Sequence, residues 1–103
     1  MSAAEALRRS VTIVNKRGLH ARAAAKFVKL SETFDADIRV AKGGVEVSGL
    51  SIMGLMMLAA APGCSIEITA SGAEAAAAMA ALEQLVADKF GDVAAVAQDD
   101  DAI

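Results

Sequence analysis

Residues 10–33 read SVTIVNKRGLHARAAAKFVKLSET and contain the transition that decides the fold of this chain. Residues 10–15 are rich in β-branched side chains that alternate with polar ones, which predicts a strand. Residues 19–33 follow with apolar side chains at intervals of three or four, which predicts an amphipathic helix. Its apolar stripe is expected to consist of Ala23, Phe27, Leu30 and Phe34. Since Gly18 breaks the strand, the helix is expected to begin at or just after His20.

Outward from this stretch, strands and helices continue to alternate. Short alternating segments predict a hairpin over residues 37–41 and 45–48, turning at Lys42-Gly43-Gly44, and a strand over residues 65–70. A second helix is expected over residues 51–58, ended by Pro62-Gly63. A third begins at the S-x-x-E capping signature of residues 71–74 and runs to about Phe90, with Gly91 as its C-cap. Its buried stripe is expected to consist of Ala75, Met79, Leu82, Leu85, Val86 and Phe90. The order β-α-β-β-α-β-α predicts a two-layer α/β (α+β) open-faced sandwich, with helices on one face of the sheet.

Length and composition limit the classes of protein to which the chain can belong. Its 103 residues fit a single domain, expected over residues 1–91, and residues 92–103 are expected to form an acidic tail containing Asp99, Asp100 and Asp101. The net charge of -3 argues against a nucleic-acid partner. Cys64 is the only cysteine, which excludes an internal disulfide. The simple interpretation of this single thiol is a reduced, cytoplasmic compartment. The N-terminus shows no signal-peptide pattern, and no apolar run is long enough to span a bilayer.

His20, the only histidine, is the candidate reactive residue. The unpaired N–H groups at a helix start carry partial positive charge, so they favour the neutral ring that a nucleophile needs. The same groups form an anion site for a phosphoryl group on the ring, and Arg22 can add a charge-assisted hydrogen bond to its oxygens. Taken alone, a single histidine at a helix start is more often a simple helix cap or a surface residue.

A second candidate feature is the apolar segment of residues 52–58. A short helix buries only one side, so some of its large apolar side chains should be exposed and suited to protein docking. A basic stripe on the first helix, Arg22, Lys26 and Lys29, would border this surface, although such a stripe can also be an ordinary solvated face. Ser51 stands at the N-cap position, where it is either only a cap or a regulatory phosphorylation site.

These segments resemble the two signatures of the HPr family, the histidine-containing phosphocarriers of the bacterial phosphotransferase system. KRGLHARAAAKFV, residues 16–28, is similar to the active-site signature, and SIMGLMMLAA, residues 51–60, to the signature around the regulatory serine. The spacing between them also agrees, and the resemblance spans about residues 8–91. It implies an antiparallel sheet in the order 1-4-2-3 covered on one face by helices.

The resemblance also implies a function. His20 would accept a phosphoryl group on Nδ1 from Enzyme I, which draws it from phosphoenolpyruvate, with help from Arg22, and pass it to an EIIA-type protein. HPr kinase/phosphorylase would modify Ser51. Partner docking would involve Ile52, Met53, Met56 and Met57 beside Arg22, Lys26 and Lys29. The chain would be a carrier and not an enzyme by itself, with no cofactor and no metal.

Two alternatives remain open from the sequence. The Ala-rich last helix and acidic tail hint at the nitrogen-related (NPr-like) branch of the family, in which the output is regulation. A non-catalytic α/β ligand-binding module would explain the fold but not the paired signatures. A self-contained enzyme is disfavoured because the chain has no phosphate-binding GxxxxGK[ST] loop, no recognisable carboxylate pair and no metal-ligand cluster.

Overall fold

The fold is a four-stranded antiparallel sheet with three α-helices. The computed structural model describes residues 6–92. Its elements, in chain order, are β1 (Leu7–Thr12), α1 (Ala21–Glu32), β2 (Asp37–Lys42), β3 (Val45–Ser48), α2 (Ile52–Met57), β4 (Ser65–Ser71) and α3 (Ala75–Ala87), followed by a 3-10 turn, Lys89–Gly91. The strand order is β1-β4-β2-β3, so the predicted element order, sheet order and sandwich are confirmed.

One face of the sheet carries the core. In the central strand β4, Ile66, Ile68 and Ala70 are buried, whereas Ser65 and Glu67, which alternate with them, are exposed. This period of two is expected when helices cover one face and water meets the other. The helices on the covered face contribute Phe27 from α1 and most of the predicted stripe of α3, namely Ala75, Met79, Leu82 and Val86, to the core.

The first strand begins and ends earlier than predicted. It spans Leu7–Thr12 and not residues 10–15. Ile13 still exchanges two backbone hydrogen bonds with the loop before β4, from its own N–H to Cys64 and from Gly63 N–H, each at 2.8 Å. The chain then turns towards the helix layer. The β-branched composition of residues 10–15 did not indicate where the pairing between strands ends.

The start of α3 corrects the predicted capping box. Ser71 is the last residue of β4, and Glu74 stands at the N-cap without a side-chain cap bond. The Glu74 carboxylate accepts the backbone N–H of Asp35 at 2.6 Å, and Glu74 N–H donates to Asp35 O at 2.9 Å. The Glu74 side chain therefore binds the segment before β2 and does not cap α3 as the capping-box pattern had predicted.

The ends of α2 and α3 also differ from the prediction. The second helix ends at Met57, capped by Leu58, and Ala59 adopts a left-handed conformation (φ 52°), well before Pro62. The third ends at Ala87, and Phe90 lies in the 3-10 turn with φ 54°. Phe90 is nevertheless fully buried, as predicted. Within residues 6–92, no helix has the length and apolar character needed to cross a membrane.

Candidate functional site

His20 is the N-cap of α1, as the sequence predicts. Its backbone is extended (φ −76°, ψ 177°), and its carbonyl accepts the N–H of Ala24 at 2.8 Å. The ring nitrogen Nδ1 accepts the N–H of Ala23 at 3.4 Å, so the imidazole caps a donor of the first helical turn. Nδ1 therefore faces the positive end of the helix dipole.

The loop before His20 is fixed by a close backbone approach. Leu19 N–H donates to Ala60 O at 2.9 Å, which joins this loop to the chain after α2. Gly18 has φ +65°, and a Cβ placed on it would lie 2.3 Å from the same Ala60 oxygen. Only glycine meets both conditions without strain, so Gly18 sets the position from which the chain enters α1.

A carboxylate and a buried amide complete the surroundings of the ring. His20 Nε2 lies 3.2 Å from Asp92 Oδ2, and the two side chains are 12% and 16% exposed. Asn15, which is fully buried, donates through Nδ2 to the same Oδ2 at 3.0 Å and to Gly18 O at 2.7 Å. The ring is thus mostly covered, but part of it reaches the surface.

The hydrogen bonds assign one tautomer to the neutral ring. A carboxylate only accepts, so the proton in the contact with Asp92 belongs to Nε2. The Ala23 N–H donates to Nδ1, which therefore carries a lone pair and no proton. Both contacts favour the same form, with the proton on Nε2 and the lone pair of Nδ1 directed at the Ala23 N–H.

The predicted basic stripe lies only partly on the surface. Arg22 and Lys29 are exposed, but Lys26 is half-buried, and its Nζ donates to Phe90 O at 2.8 Å. Lys26 therefore connects α1 to the 3-10 turn that precedes Asp92. Its ability to contact a partner stays a prediction, as for the other two residues.

The helix α2 leaves a group of large apolar side chains in water. Leu55 points into the core, but Met53 and Met57 are 70% and 74% exposed. The exposed apolar residues of this helix, here called the α2 patch, are Ile52, Met53, Met56 and Met57. Because α1 packs against α2, Arg22 and Lys29 lie on a neighbouring element. A cluster of this kind is typical of a protein-docking surface.

Ser51 is the N-cap of α2. Its Oγ accepts the N–H of Gly54 at 2.9 Å, and its backbone carbonyl accepts the N–H of Leu55 at 2.9 Å. The side chain is half-buried at the edge of the α2 patch. The cap predicted for this position is confirmed, and phosphorylation of the hydroxyl stays a prediction.

Removing this cap should weaken the fold measurably. We expect Ser51→Ala to lower the free energy of unfolding by about 1 kcal/mol, because Gly54 N–H loses its acceptor. Urea denaturation followed by circular dichroism measures the change. Ser10→Ala, at an exposed position in β1, should have almost no effect. Equal stabilities of the Ser51→Ala and parent proteins would contradict this role of the hydroxyl.

Sequence reasoning missed two residues of the site. Asn15 was assigned to the first strand and Asp92 to the tail. In the structure, Asp92 contacts the His20 ring, and Asn15 contacts Asp92. Of that predicted tail, residues 93–103, with Asp99, Asp100 and Asp101, lie outside the described residues. Among residues 6–92, the structure brings together no group of three His, Cys, Asp or Glu side chains that could hold a metal ion.

Comparisons with known proteins find relatives over most of the chain. Residues 7–88 match the family model described as the PTS HPr component phosphorylation site. The phosphocarrier protein HPr of Neisseria meningitidis serogroup A is 49% identical over 86 residues, which cover 84% of this chain and 97% of that protein. The phosphocarrier protein NPr of Shewanella violacea is 44% identical over 86 residues, covering 84% and 94%. The crystal structure of HPr-C-His from Thermoanaerobacter tengcongensis superposes with a TM-score of 0.80 at 38% identity, covering 84% and 98%.

Proposed function

This chain belongs to the PTS HPr family of phosphocarriers, and we propose that it carries its phosphoryl group on Nδ1 of His20. The donor is Enzyme I, charged by phosphoenolpyruvate, and the acceptor is an EIIA-type protein. The exchange takes place in the cytoplasm, where the single thiol of Cys64 stays reduced. Each transfer is a reaction between two proteins, in which this chain supplies the side chain that carries the phosphoryl group.

The observation that carries this proposal is the contact of Nδ1 with the Ala23 N–H in the first turn of α1, which favours an unprotonated Nδ1. Its lone pair can attack phosphorus once the long, 3.4 Å contact with Ala23 N–H opens, since the proton of the neutral ring resides on Nε2. A phosphoryl group bound there would lie beside the first N–H groups of the helix, which suit an anion. The dipole thereby supports both the nucleophile and its phosphorylated product.

Arg22 would stabilise the phosphorylated ring. It follows His20 by two residues in the first turn of α1 and is exposed. A guanidinium can present two parallel N–H donors to phosphate oxygens. Because the charge is also accessible to water, the contact stabilises the phosphoryl group only moderately, and a carrier must release the group to its acceptor.

Docking would use the α2 patch with Arg22 and Lys29 as its charged rim, and Lys26 at the inner edge. Exposed Met side chains adapt to more than one partner surface, as a protein that meets both a donor and an acceptor requires. Positive charge at the rim favours partners with acidic surfaces and raises the association rate. The partner would supply the remaining groups that position and neutralise the transferred phosphoryl group.

Transfer of a labelled phosphate tests the proposal directly. Incubation with Enzyme I and labelled phosphoenolpyruvate should place one acid-labile, base-stable phosphate on the chain, as expected for phosphohistidine. Addition of an EIIA-type protein should then remove it. A chain that stays unlabelled with an active Enzyme I that charges a known HPr would contradict the proposed function.

Phosphorylation of Ser51 by HPr kinase/phosphorylase would regulate this transfer. We expect Ser51→Asp to lower the rate of His20 phosphorylation by Enzyme I about tenfold, because it puts negative charge at the edge of the α2 patch. Aspartate also caps helices well, so the fold should persist. Single-turnover labelling measures the rate.

The control for this experiment is Ser10→Asp. Ser10 is exposed in β1, at the edge of the sheet opposite β3 and α2, and the substitution adds the same charge there. Its labelling rate should equal that of the parent chain. Equal rates for Ser51→Asp and Ser10→Asp would remove the regulatory role of Ser51.

The second candidate output is nitrogen-related regulation, as in the NPr branch. Similarity to the phosphocarrier protein NPr of Shewanella violacea favours it alongside the HPr relatives. The chemistry at His20 would be the same, and only the partners would differ. Parallel labelling with the Enzyme I and EIIA proteins of each branch separates the two outputs by their relative rates.

A further inference from the structure

Asp92 contacts the edge of the His20 ring opposite the atom that takes up the phosphoryl group. Its Oδ2 lies 3.2 Å from Nε2, whereas Nδ1 faces Ala23 N–H. Building on the proposed function, we propose that Asp92 is a positioning residue for phosphoryl transfer. Its carboxylate holds the ring in the tautomer that attacks and balances the charge of the phosphorylated ring.

The carboxylate is itself held by a buried side chain. Asn15 is fully buried, and its Nδ2 donates to Asp92 Oδ2 at 3.0 Å and to Gly18 O at 2.7 Å. Asp92 Oδ2 and Gly18 O can only accept hydrogen bonds, so the Asn15 amide must point its nitrogen towards them. The Asp92 oxygen that meets His20 is therefore oriented from the protein interior and not by solvent.

The backbone that carries Asp92 is also held in place. Phe90 is fully buried, and its carbonyl accepts Lys26 Nζ at 2.8 Å. Asp92 N–H donates to Lys89 O at 2.8 Å, which closes the turn. Lys89 and Phe90 both adopt left-handed conformations, with φ of 60° and 54°. Such strain persists only where surrounding contacts enforce it, and it occurs most often at functional sites.

The transfer step shows what the carboxylate contributes. As the phosphoryl group arrives, the Nδ1 lone pair forms the bond to phosphorus, the bond from phosphorus to the donor atom breaks, and that electron pair leaves with the donor. Nε2 keeps its proton, so the ring becomes cationic beside the Asp92 carboxylate. On discharge, an electron pair of the acceptor atom forms the new bond to phosphorus, the P–Nδ1 bond breaks, and its electron pair returns to the ring, which is again neutral with its proton on Nε2. A carboxylate acts on imidazole in this way in serine hydrolases.

The first test uses NMR of the unphosphorylated, 15N-labelled chain at a pH where the ring is neutral. We expect a resonance for the Nε2-bound proton, protected from exchange by Asp92. Asp92→Ala should lose it to exchange with water. Asp92→Asn should retain it, because Asn15 Nδ2 requires an acceptor at this position and so turns the new amide oxygen towards His20. The proton should then shift, because the neutral amide is the weaker acceptor.

The second test measures charging by Enzyme I and phosphoenolpyruvate. Asp92→Asn and Asp92→Ala should both lower the single-turnover rate about tenfold or more, as loss of a carboxylate behind a working histidine generally does. Asp88→Asn is the matched control. It removes the same charge from the exposed end of α3, where Asp88 accepts from Gln84. This variant should be charged at the parent rate.

The outcomes separate this inference from the proposed function. Asp92→Asn charged at the parent rate, or an Nε2 proton that remains protected in Asp92→Ala, would overturn the role of Asp92. A parent chain that takes up no label would instead overturn the function on which the inference rests. Slower charging of both Asp92 variants, with loss of the proton signal only in Asp92→Ala, would support it.

Discussion

His20→Ala should reduce labelling by Enzyme I and phosphoenolpyruvate to background. The expectation follows because no other side chain of the sequence is an imidazole, and the nucleophilic Nδ1 is lost with the ring. The effect is therefore a loss of function and not a change in rate. Gel autoradiography, followed by acid and base treatment of the labelled band, measures it.

The matched variant for this experiment is His20→Asn. Alanine removes the cap on Ala23 N–H along with the ring, at a cost of about 0.5–2 kcal/mol, whereas asparagine is a favoured cap residue. Both variants should fold, as judged by circular dichroism, and both should stay unlabelled. Acid-labile label on either folded variant would show that another residue accepts the phosphoryl group.

Features set by neighbouring residues were predictable from the sequence. His20 at the start of α1 follows from a strand, a glycine and an amphipathic run in succession, and Ser51 as the N-cap of α2 follows from its place before an apolar run. Burial of Phe90 was predicted from its position four residues after Val86, and the residue is buried although α3 ends at Ala87 and its own backbone is left-handed.

Features that depend on distant contacts were not predictable in this way. Asn15 and Asp92 are 77 residues apart in the sequence, and neither forms a recognisable motif with the other. Lys26 fits a basic stripe on a helical projection, yet its amine is bound to Phe90 O. Glu74 fits a capping box, but the segment before β2 offers its carboxylate a different donor. In each case, the side chain binds a partner that is distant in the sequence. Local sequence patterns do not identify such a partner, so it becomes visible only in the folded structure.

Gly18→Ala should destabilise the fold more than any other substitution considered above, by about 2–5 kcal/mol. A left-handed backbone at a non-glycine residue costs about 1–2 kcal/mol, and Gly18 has φ +65°. The added Cβ would also lie 2.3 Å from Ala60 O, and overpacking of this kind costs about 1–3 kcal/mol. Urea denaturation measures the sum, and the labelling assay measures the accompanying displacement of His20.

Gly43→Ala separates the cost of the left-handed backbone from the cost of the contact with Ala60 O. Gly43 has φ +58° in the turn between β2 and β3, and a Cβ there would meet nothing within 4 Å. The Gly43→Ala variant should therefore lose only the stability that a left-handed backbone costs, about 1–2 kcal/mol. Its charging rate by Enzyme I should equal that of the parent chain. If Gly18→Ala loses no more stability than Gly43→Ala, the contact with Ala60 does not constrain the loop. A larger loss together with slower charging would mean that the backbone approach at Ala60 holds His20 at the start of α1, where the proposed chemistry requires it.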